Sequence, residues 1–268
     1  ILTSSASSHV PFMLEQSSVD YDLSNFTPLI GAPSGGVVYT KPELAKGGME
    51  DLMSLEDELF YAGISPTGLD LVTLLSFEVL KMDVKAVLGY EGRGPSRVAF
   101  EQGESNIDYQ TTTAYKNSVE ALVEEDRAVP LYSLGQIDAN GDLIRDPQFP
   151  DLPTIEEIYV DIYGEEPSGD VWDAYKQTVG ASYTLNKVIW VHNDAPGNYQ
   201  DLLKKGMEAL INDEEFATHS EEILEGYNTY VGEELNAQIK QSFSISQETK
   251  QWIIEYLRTN FDIDIKKL

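Results

Sequence analysis

Apolar and polar positions along this chain follow two periods, one of strands and one of helices. Leu59-Phe60-Tyr61-Ala62 is a short apolar run that breaks at Gly63 and at Ser65-Pro66-Thr67-Gly68. It restarts from Leu69 to Leu80 with Leu71, Val72, Leu75 and Val79 on one stripe, the pattern of a strand delivering a buried helix. Pro66 suits the first helical position, where its missing N–H needs no partner, and Ser65 precedes it as the cap. The same reading places strands at Ile1-Leu2-Thr3, Phe26 to Gly31, Val37 to Tyr39, Val84 to Leu88, Ile107 to Gln110, Val129 to Leu134 and Lys187 to His192. Helices are predicted from Arg97 to Gln102, Thr112 to Glu124, a cap near Thr154, Asp170 to Tyr183 and Tyr199 to Asn212. The C-terminal stretch is helical, with Trp252, Ile253, Tyr256 and Leu257 on one face. Strands alternating with helices predict parallel β-α-β units in an α/β sheet, with sites at the carboxyl ends of its strands.

Composition narrows the chemistry. The 268 residues are 41% hydrophobic, enough for buried cores, and no apolar run is long enough to cross a bilayer. Ile1-Leu2-Thr3-Ser4-Ser5 lacks the charged start of a signal peptide. The absence of cysteine excludes disulfides, thiolate metal sites and cysteine nucleophiles. A net charge of −28, from 46 acidic and 18 basic residues, argues against nucleic acid and anionic membrane as partners. Asp146 to Tyr175 and Gly206 to Ile239 contain no Lys or Arg and read as solvated helix faces. Asp138-Ala139-Asn140-Gly141-Asp142 begins like a calcium loop, but Phe149 stands where the bidentate Glu belongs, so a tight turn is expected and no metal site.

Two glycine-rich turns, Gly63 to Gly68 and Gly89 to Ser96, offer backbone N–H groups of the kind that bind anions. Neither has the lysine and hydroxyl of a phosphate loop, and no nucleotide cofactor is expected. His9, His192 and His219 lie in no recognisable metal or nucleophile motif, so no catalytic residue is assigned. A hydrolase-like alternative would bring His9, Asp108 and a serine such as Ser5 or Ser8 into one cleft.

The ordered segments Thr3-Ser4-Ser5-Ala6-Ser7-Ser8-His9, Asn25-Phe26-Thr27-Pro28-Leu29, Phe60 to Gly68, Gly89-Tyr90-Glu91-Gly92-Arg93-Gly94-Pro95, Gly103 to Asp108, and Phe149 to Thr154 with Glu157 carry a family resemblance. From Ile1 to Glu225 the chain resembles the extracytoplasmic solute-binding receptors of tripartite tricarboxylate transporters. The resemblance implies a two-lobed periplasmic-binding-protein-like (type II) fold with a ligand cleft between the lobes. Residues 1–36 and 181–268 would form lobe 1 and residues 37–180 lobe 2. It further implies a periplasmic or otherwise extracytoplasmic protein that is not an enzyme. Such a protein takes a small organic carboxylate, di- or tricarboxylate-like, to membrane permease subunits without itself inserting in the membrane. The implied ligand-binding residues are Ser4, Ser5, Ser7 and Ser8; Gly63, Ser65, Thr67 and Gly68; Tyr90, Gly92, Arg93 and Gly94; and Asp108, Gln110 and Thr111. Arg93 departs from the family's usual residue, and two roles stay open: a bidentate grip on a carboxylate, or a pair with a surface acid such as Glu91.

The family carries a further β-α-β segment before the position of Ile1, with a glycine-rich loop that supplies half of the ligand clamp. The expectation is therefore a fragment or a reduced first lobe, an unpaired sheet edge, and association or partial disorder near residues 1–35. A non-binding structural role derived from this fold is the remaining alternative.

Overall fold

The computed structural model describes residues 1–54 and 58–267. Strand β1 (Leu2–Ser5) runs directly into helix α1 (Ala6–Met13), and β2 (Phe26–Ala32) and β3 (Gly36–Thr40) follow. Then come α2 (Met49–Ser54), β4 (Leu59–Gly63), α3 (Asp70–Val79), β5 (Val84–Leu88), α4 (Arg93–Gln102) and β6 (Ile107–Thr111). Helices α5 (Thr112–Ser118) and α6 (Glu120–Glu124) lead to β7 (Val129–Ser133), and a small hairpin pairs β8 (Gln136–Ile137) with β9 (Leu143–Ile144). After α7 (Ile155–Tyr163), α8 (Asp170–Val179) runs into a π-helical turn, Gly180–Thr184, that feeds β10 (Lys187–His192). The chain then continues through α9 (Gly197–Leu210), α10 (Glu214–Ile223), α11 (Gly232–Phe243) and α12 (Gln247–Phe261).

The architecture is α/β, but only part of it is the parallel sheet that the alternation predicts. A five-stranded sheet has the order β5-β4-β6-β3-β7, with β4 parallel to β5 and β6, and β3 antiparallel to both β6 and β7. A three-stranded sheet has the order β1-β10-β2, with β10 antiparallel to both neighbours. Helices do join parallel strands, as crossovers must: β4-α3-β5, β5-α4-β6, β6-α5-α6-β7 and β1-α1-β2. Each sheet also admits one strand from a distant segment, inserted antiparallel between two of these. Periodicity records which residues form a strand and carries no information on strand order.

Local chemistry explains most element ends. Thr154 and Glu157 form a reciprocal capping box at the start of α7, with Thr154 N–H donating to Glu157 Oε2 at 2.8 Å. The Asp138 carboxylate accepts N–H bonds from Asn140 and Asp142, so this acidic stretch is the turn of the β8–β9 hairpin. Two predicted starts are corrected. Helix α3 begins at Asp70, with residues 66–69 in turns, so Ser65 is not its cap. Helix α4 begins at Arg93, ahead of the expected Arg97. The predicted helix from Thr112 to Glu124 is broken at Val119 into α5 and α6.

The main core lies between the five-stranded sheet and helices α3, α8 and α12. Leu71, Val72, Leu75 and Val79 are all buried in it, as are Ile253, Tyr256 and Leu257. A separate cluster of Leu23, Leu185, Val188, Trp190 and Leu235 packs one face of the three-stranded sheet. β1 forms one edge of that sheet, as expected, and residues 1–35 contribute β1, α1 and β2 to it rather than a disordered stretch.

Candidate functional site

Parallel β4, β5 and β6 bring three carboxyl ends to one rim of the five-stranded sheet, and most of the expected binding residues meet there. The two glycine-rich turns are tied together: Gly89 N–H donates to Ile64 O and Tyr90 N–H to Gly63 O, each at 3.1 Å. Gly63 is required by packing, since a Cβ at that position would stand 2.6 Å from Leu88 Cδ2 and 2.8 Å from the Tyr61 ring. Ser65 Oγ and Thr67 Oγ1 hydrogen-bond at 3.0 Å and stiffen the first turn.

In the first of these turns two backbone N–H groups, and beside them the terminal nitrogens of Arg93, are engaged by the protein's own carboxylates. Asp70 folds back from the first turn of α3, and its Oδ2 accepts Ile64 N–H at 3.0 Å and Ser65 N–H at 3.1 Å. Its other oxygen accepts from Tyr61 OH and from Arg93 Nη1. Arg93 bridges to Asp108 through Nη2 and donates to the carbonyls of Ala62 and Tyr109 at 3.0 and 2.6 Å. Its guanidinium lies 4.2 Å from the Tyr109 ring centroid. Tyr39 OH donates to Asp108 Oδ2 at 2.6 Å, and Gln110 Nε2 to the Arg93 carbonyl at 2.8 Å. The side chains of Asp70 and Asp108 are 2% and 0% exposed and that of Arg93 10%. Burial pushes the Asp108 carboxyl above the usual carboxylate range, a larger influence than the opposing pull of Arg93. In this structure Arg93 pairs with two buried aspartates, Asp70 and Asp108, rather than with a surface acid such as Glu91.

The serine segment lies on the other sheet. Trp190 Nε1–H donates to Ser4 Oγ at 2.7 Å, Ser4 Oγ lies 2.6 Å from His9 Nε2, and His9 Nδ1 lies 3.1 Å from the Ala181 carbonyl. A carbonyl can only accept, so Nδ1 carries the proton and Ser4 donates to Nε2. His9 is fully buried, and desolvation lowers its pKa to about 4, which keeps it neutral. This relay faces the core. The serine is held at both ends, and the histidine is oriented by a peptide carbonyl, while Asp108 sits in the Arg93 cluster. Ser7 is exposed on α1, and Ser5 and Ser8 are half-buried.

The other face of the three-stranded sheet is built differently. Strand alternation and register put Thr3 and Ser5 of β1, Lys187 and Ile189 of β10, and Ile30 and Ala32 of β2 on one side. Helices α9 and α10 cross this side without contributing one buried side chain. Between sheet and helices lies a cavity of about 550 Å³, lined on the helix side by Met207, Leu210, Phe216 and Leu224 and bordered by Ser4, Ser5 and Ser8.

Segments between the sheets are pinned by a third polar cluster. Tyr227 OH lies 2.7 Å from Asp146 and 2.8 Å from Thr112 Oγ1, and Gly35 passes so close that a Cβ there would stand 1.7 Å from Asp146 Oδ2. Among the described residues no hydrogen bond joins the serine set to the turn set. Sequence reasoning missed Asp70, for which an acid in the first turn of a helix was the available signal.

The fold is that of the two-lobed periplasmic binding proteins. No family model and no curated protein matches the sequence. Solved structures share the fold over nearly the whole chain. R. palustris Rpa4515 with adipate is 18% identical with a TM-score of 0.62, over 98% of this chain and 77% of that one. A TctC solute binding protein from Polaromonas is 11% identical at 0.61, over 96% and 77%. MatC (Rpa3494) from Rhodopseudomonas palustris with bound malate is 14% identical at 0.57, over 94% and 76%. The chain has the fold of the TctC-type solute-binding proteins, as its sequence resemblance implies. Among the described residues no helix is long and apolar enough to cross a membrane.

Proposed function

We propose that this protein is an extracytoplasmic, non-enzymatic receptor that captures a small organic carboxylate and delivers it to the membrane permease subunits of a tripartite tricarboxylate transporter. The observation that carries this reading is the fold held in common, over 94–98% of the chain, with binding proteins solved with adipate and malate. Residues 1–36 with 181–268 would form one lobe and residues 37–180 the other, with α12 of the first packed on the core of the five-stranded sheet, and a solute would lie where the lobes face each other. Of the expected binding residues, Ser5 and Ser8 border a cavity, while Gly63, Ser65, Thr67, Gly68, Tyr90, Gly92, Gly94, Gln110 and Thr111 would act from the strand-end rim. A hydrolase reading gains nothing from the Ser4–His9 pair, since Trp190 and the Ala181 carbonyl already saturate it.

The test is a thermal-shift screen of the folded chain in moderate salt against mono-, di- and tricarboxylates and neutral solutes, followed by calorimetry. A receptor is stabilised saturably, by about 2.7 kcal/mol at a hundredfold excess over Kd. Failure of every carboxylate to stabilise a cooperatively folding sample would overturn the reading.

A further inference from the structure

We propose that the loop between α10 and α11 is a strap that clasps the hinge of the molecule and must let go before its two lobes can part. This rests on the two-lobed division above and adds to the receptor reading the element that governs lobe opening. The loop leaves α10 at Leu224 and is fixed to the three-stranded sheet at its far end, where Tyr230 and Gly31 exchange main-chain hydrogen bonds of 2.8 and 2.9 Å. Between these points Tyr227 reaches out of its own lobe. Its hydroxyl donates to the Asp146 carboxylate at 2.7 Å. A phenol has one proton, so Thr112 Oγ1, 2.8 Å away, donates to it in turn. Both partners belong to residues 37–180, and Thr112 directly follows β6, which puts the end of the strap beside Gln110 and Thr111 on the strand-end rim. Lys116 flanks the contact: its Nζ lies 3.7 Å from Glu225 Oε2 of the strap and donates to Gln148 Oε1 at 2.8 Å.

The clasp sits on a crossing between the lobes. The chain passes over at residues 33–35, between β2 and β3, and again at the π-helical turn before β10, and Ser34 N–H donates to Tyr183 O at 2.9 Å to tie the two crossings together. Gly35 is the residue that the strap presses: a Cβ there would stand 1.7 Å from Asp146 Oδ2 and 2.4 Å from Tyr227 OH. The Gly35 carbonyl accepts Thr112 N–H at 3.0 Å, so the threonine that meets Tyr227 also holds the crossing. Hinges absorb lobe movement in the backbone angles of a few residues, and a crossing gripped in this way has no room to turn while the clasp is made. The contact is also dry, with Asp146 0% and Tyr227 6% exposed. Exclusion of water strengthens the phenol–carboxylate bond, so the balance between clasped and open depends steeply on one hydroxyl.

Hydrogen exchange read by mass spectrometry on the full chain tests the clasp. Tyr227→Phe keeps the ring and removes the hydroxyl. It should speed exchange about tenfold or more in the strap, residues 224–231, and together with it in the crossings, residues 33–36 and 180–186, while β4 and β5 keep their rates. Thr112→Val, which removes the donor from the other lobe at nearly constant shape, should do the same by about fivefold, and Thr112→Ser should keep the parent rates. Tyr230→Phe is the control: Tyr230 is held through its main chain, so its variant should exchange like the parent. Faster exchange in the strap alone would make Tyr227 the anchor of a surface loop and overturn the proposal, as would unchanged exchange in both Tyr227→Phe and Thr112→Val. A rise shared equally by β4 and β5 would be global loosening and would overturn it too. No carboxylate enters the measurement, so its failure leaves the receptor reading to the thermal-shift screen, and failure of that screen leaves the clasp standing.

Discussion

The strand ends of the five-stranded sheet and the outer side of the three-stranded sheet both combine hydroxyls with one cation, yet they end in opposite states. At the strand ends two backbone N–H groups and both terminal nitrogens of one guanidinium are taken up by two buried aspartates. On the outer side the cation, Lys187, has no carboxylate partner among the described residues and the covering helices bury nothing. The difference teaches that amide-rich turns mark where a carboxylate fits, whereas a nearby acid of the chain decides whose carboxylate it is. Asp70 is chemically the ligand that the turn at Gly63 to Gly68 was expected to receive.

The sharpest way to break this contrast is Asp70→Ala, which leaves Arg93 with one carboxylate and removes the acceptor of the Ile64 and Ser65 amides. Breaking one side of a buried ion pair costs about 3–5 kcal/mol. Urea unfolding should read that loss, and added acetate should recover part of it by entering the turn. A loss below about 1 kcal/mol, or indifference to acetate, would mean that the rim is not closed by charge.

The neutral His9 relay beneath the three-stranded sheet makes the next largest difference. Its folded pKa, about 4, lies below the ordinary histidine value of 6.5, so the unfolded chain binds the extra proton. The contribution is complete above pH 6.5 and is lost as the pH falls towards 4, up to about 3 kcal/mol. Burial raises Asp108 and Asp146 and gives them the opposite slope, so the quantity to compare is the difference between the parent and His9→Gln across that window. A difference that does not change with pH would mean that the histidine is not held neutral.

Packing should separate the two regions as well. Leu75 is fully buried beside the five-stranded sheet, whereas Leu210 is 38% exposed at the cavity. Leu75→Ala should cost about 3 kcal/mol and Leu210→Ala less than about 1. Equal costs in denaturant titrations would show that α9 packs on its sheet as tightly as α3 does. Thr154→Ala, in the capping box away from both regions, should cost about 1 kcal/mol and leave solute binding untouched.

Much of this fold was legible from periodicity. Val84 to Leu88 and Lys187 to His192 are strands with the predicted ends, because β-branched and aromatic runs between polar turns leave little choice. The start of α3 was not legible. Ser65-Pro66 makes a good local cap, but the long-range bonds of Asp70 to Arg93 and Tyr61 hold the turn open and delay the helix. The candidate site was legible in its parts only. Ser4 has the residue type of a binding loop, and a tryptophan 186 positions away claims its hydroxyl for the core.

The insertion of β10 between β1 and β2 has a consequence for how the molecule is made. Leu2 pairs with Trp190 and Thr27 with Val191, so among the described residues both strands take their sheet neighbour from β10, which leaves the ribosome much later. The five-stranded sheet can close once β7 has emerged, whereas the three-stranded one waits through a far longer loop and bears the greater closure entropy. During synthesis the edges of β1 and β2 are open to foreign strands. The sheet that takes in β10 is therefore the one that closes last.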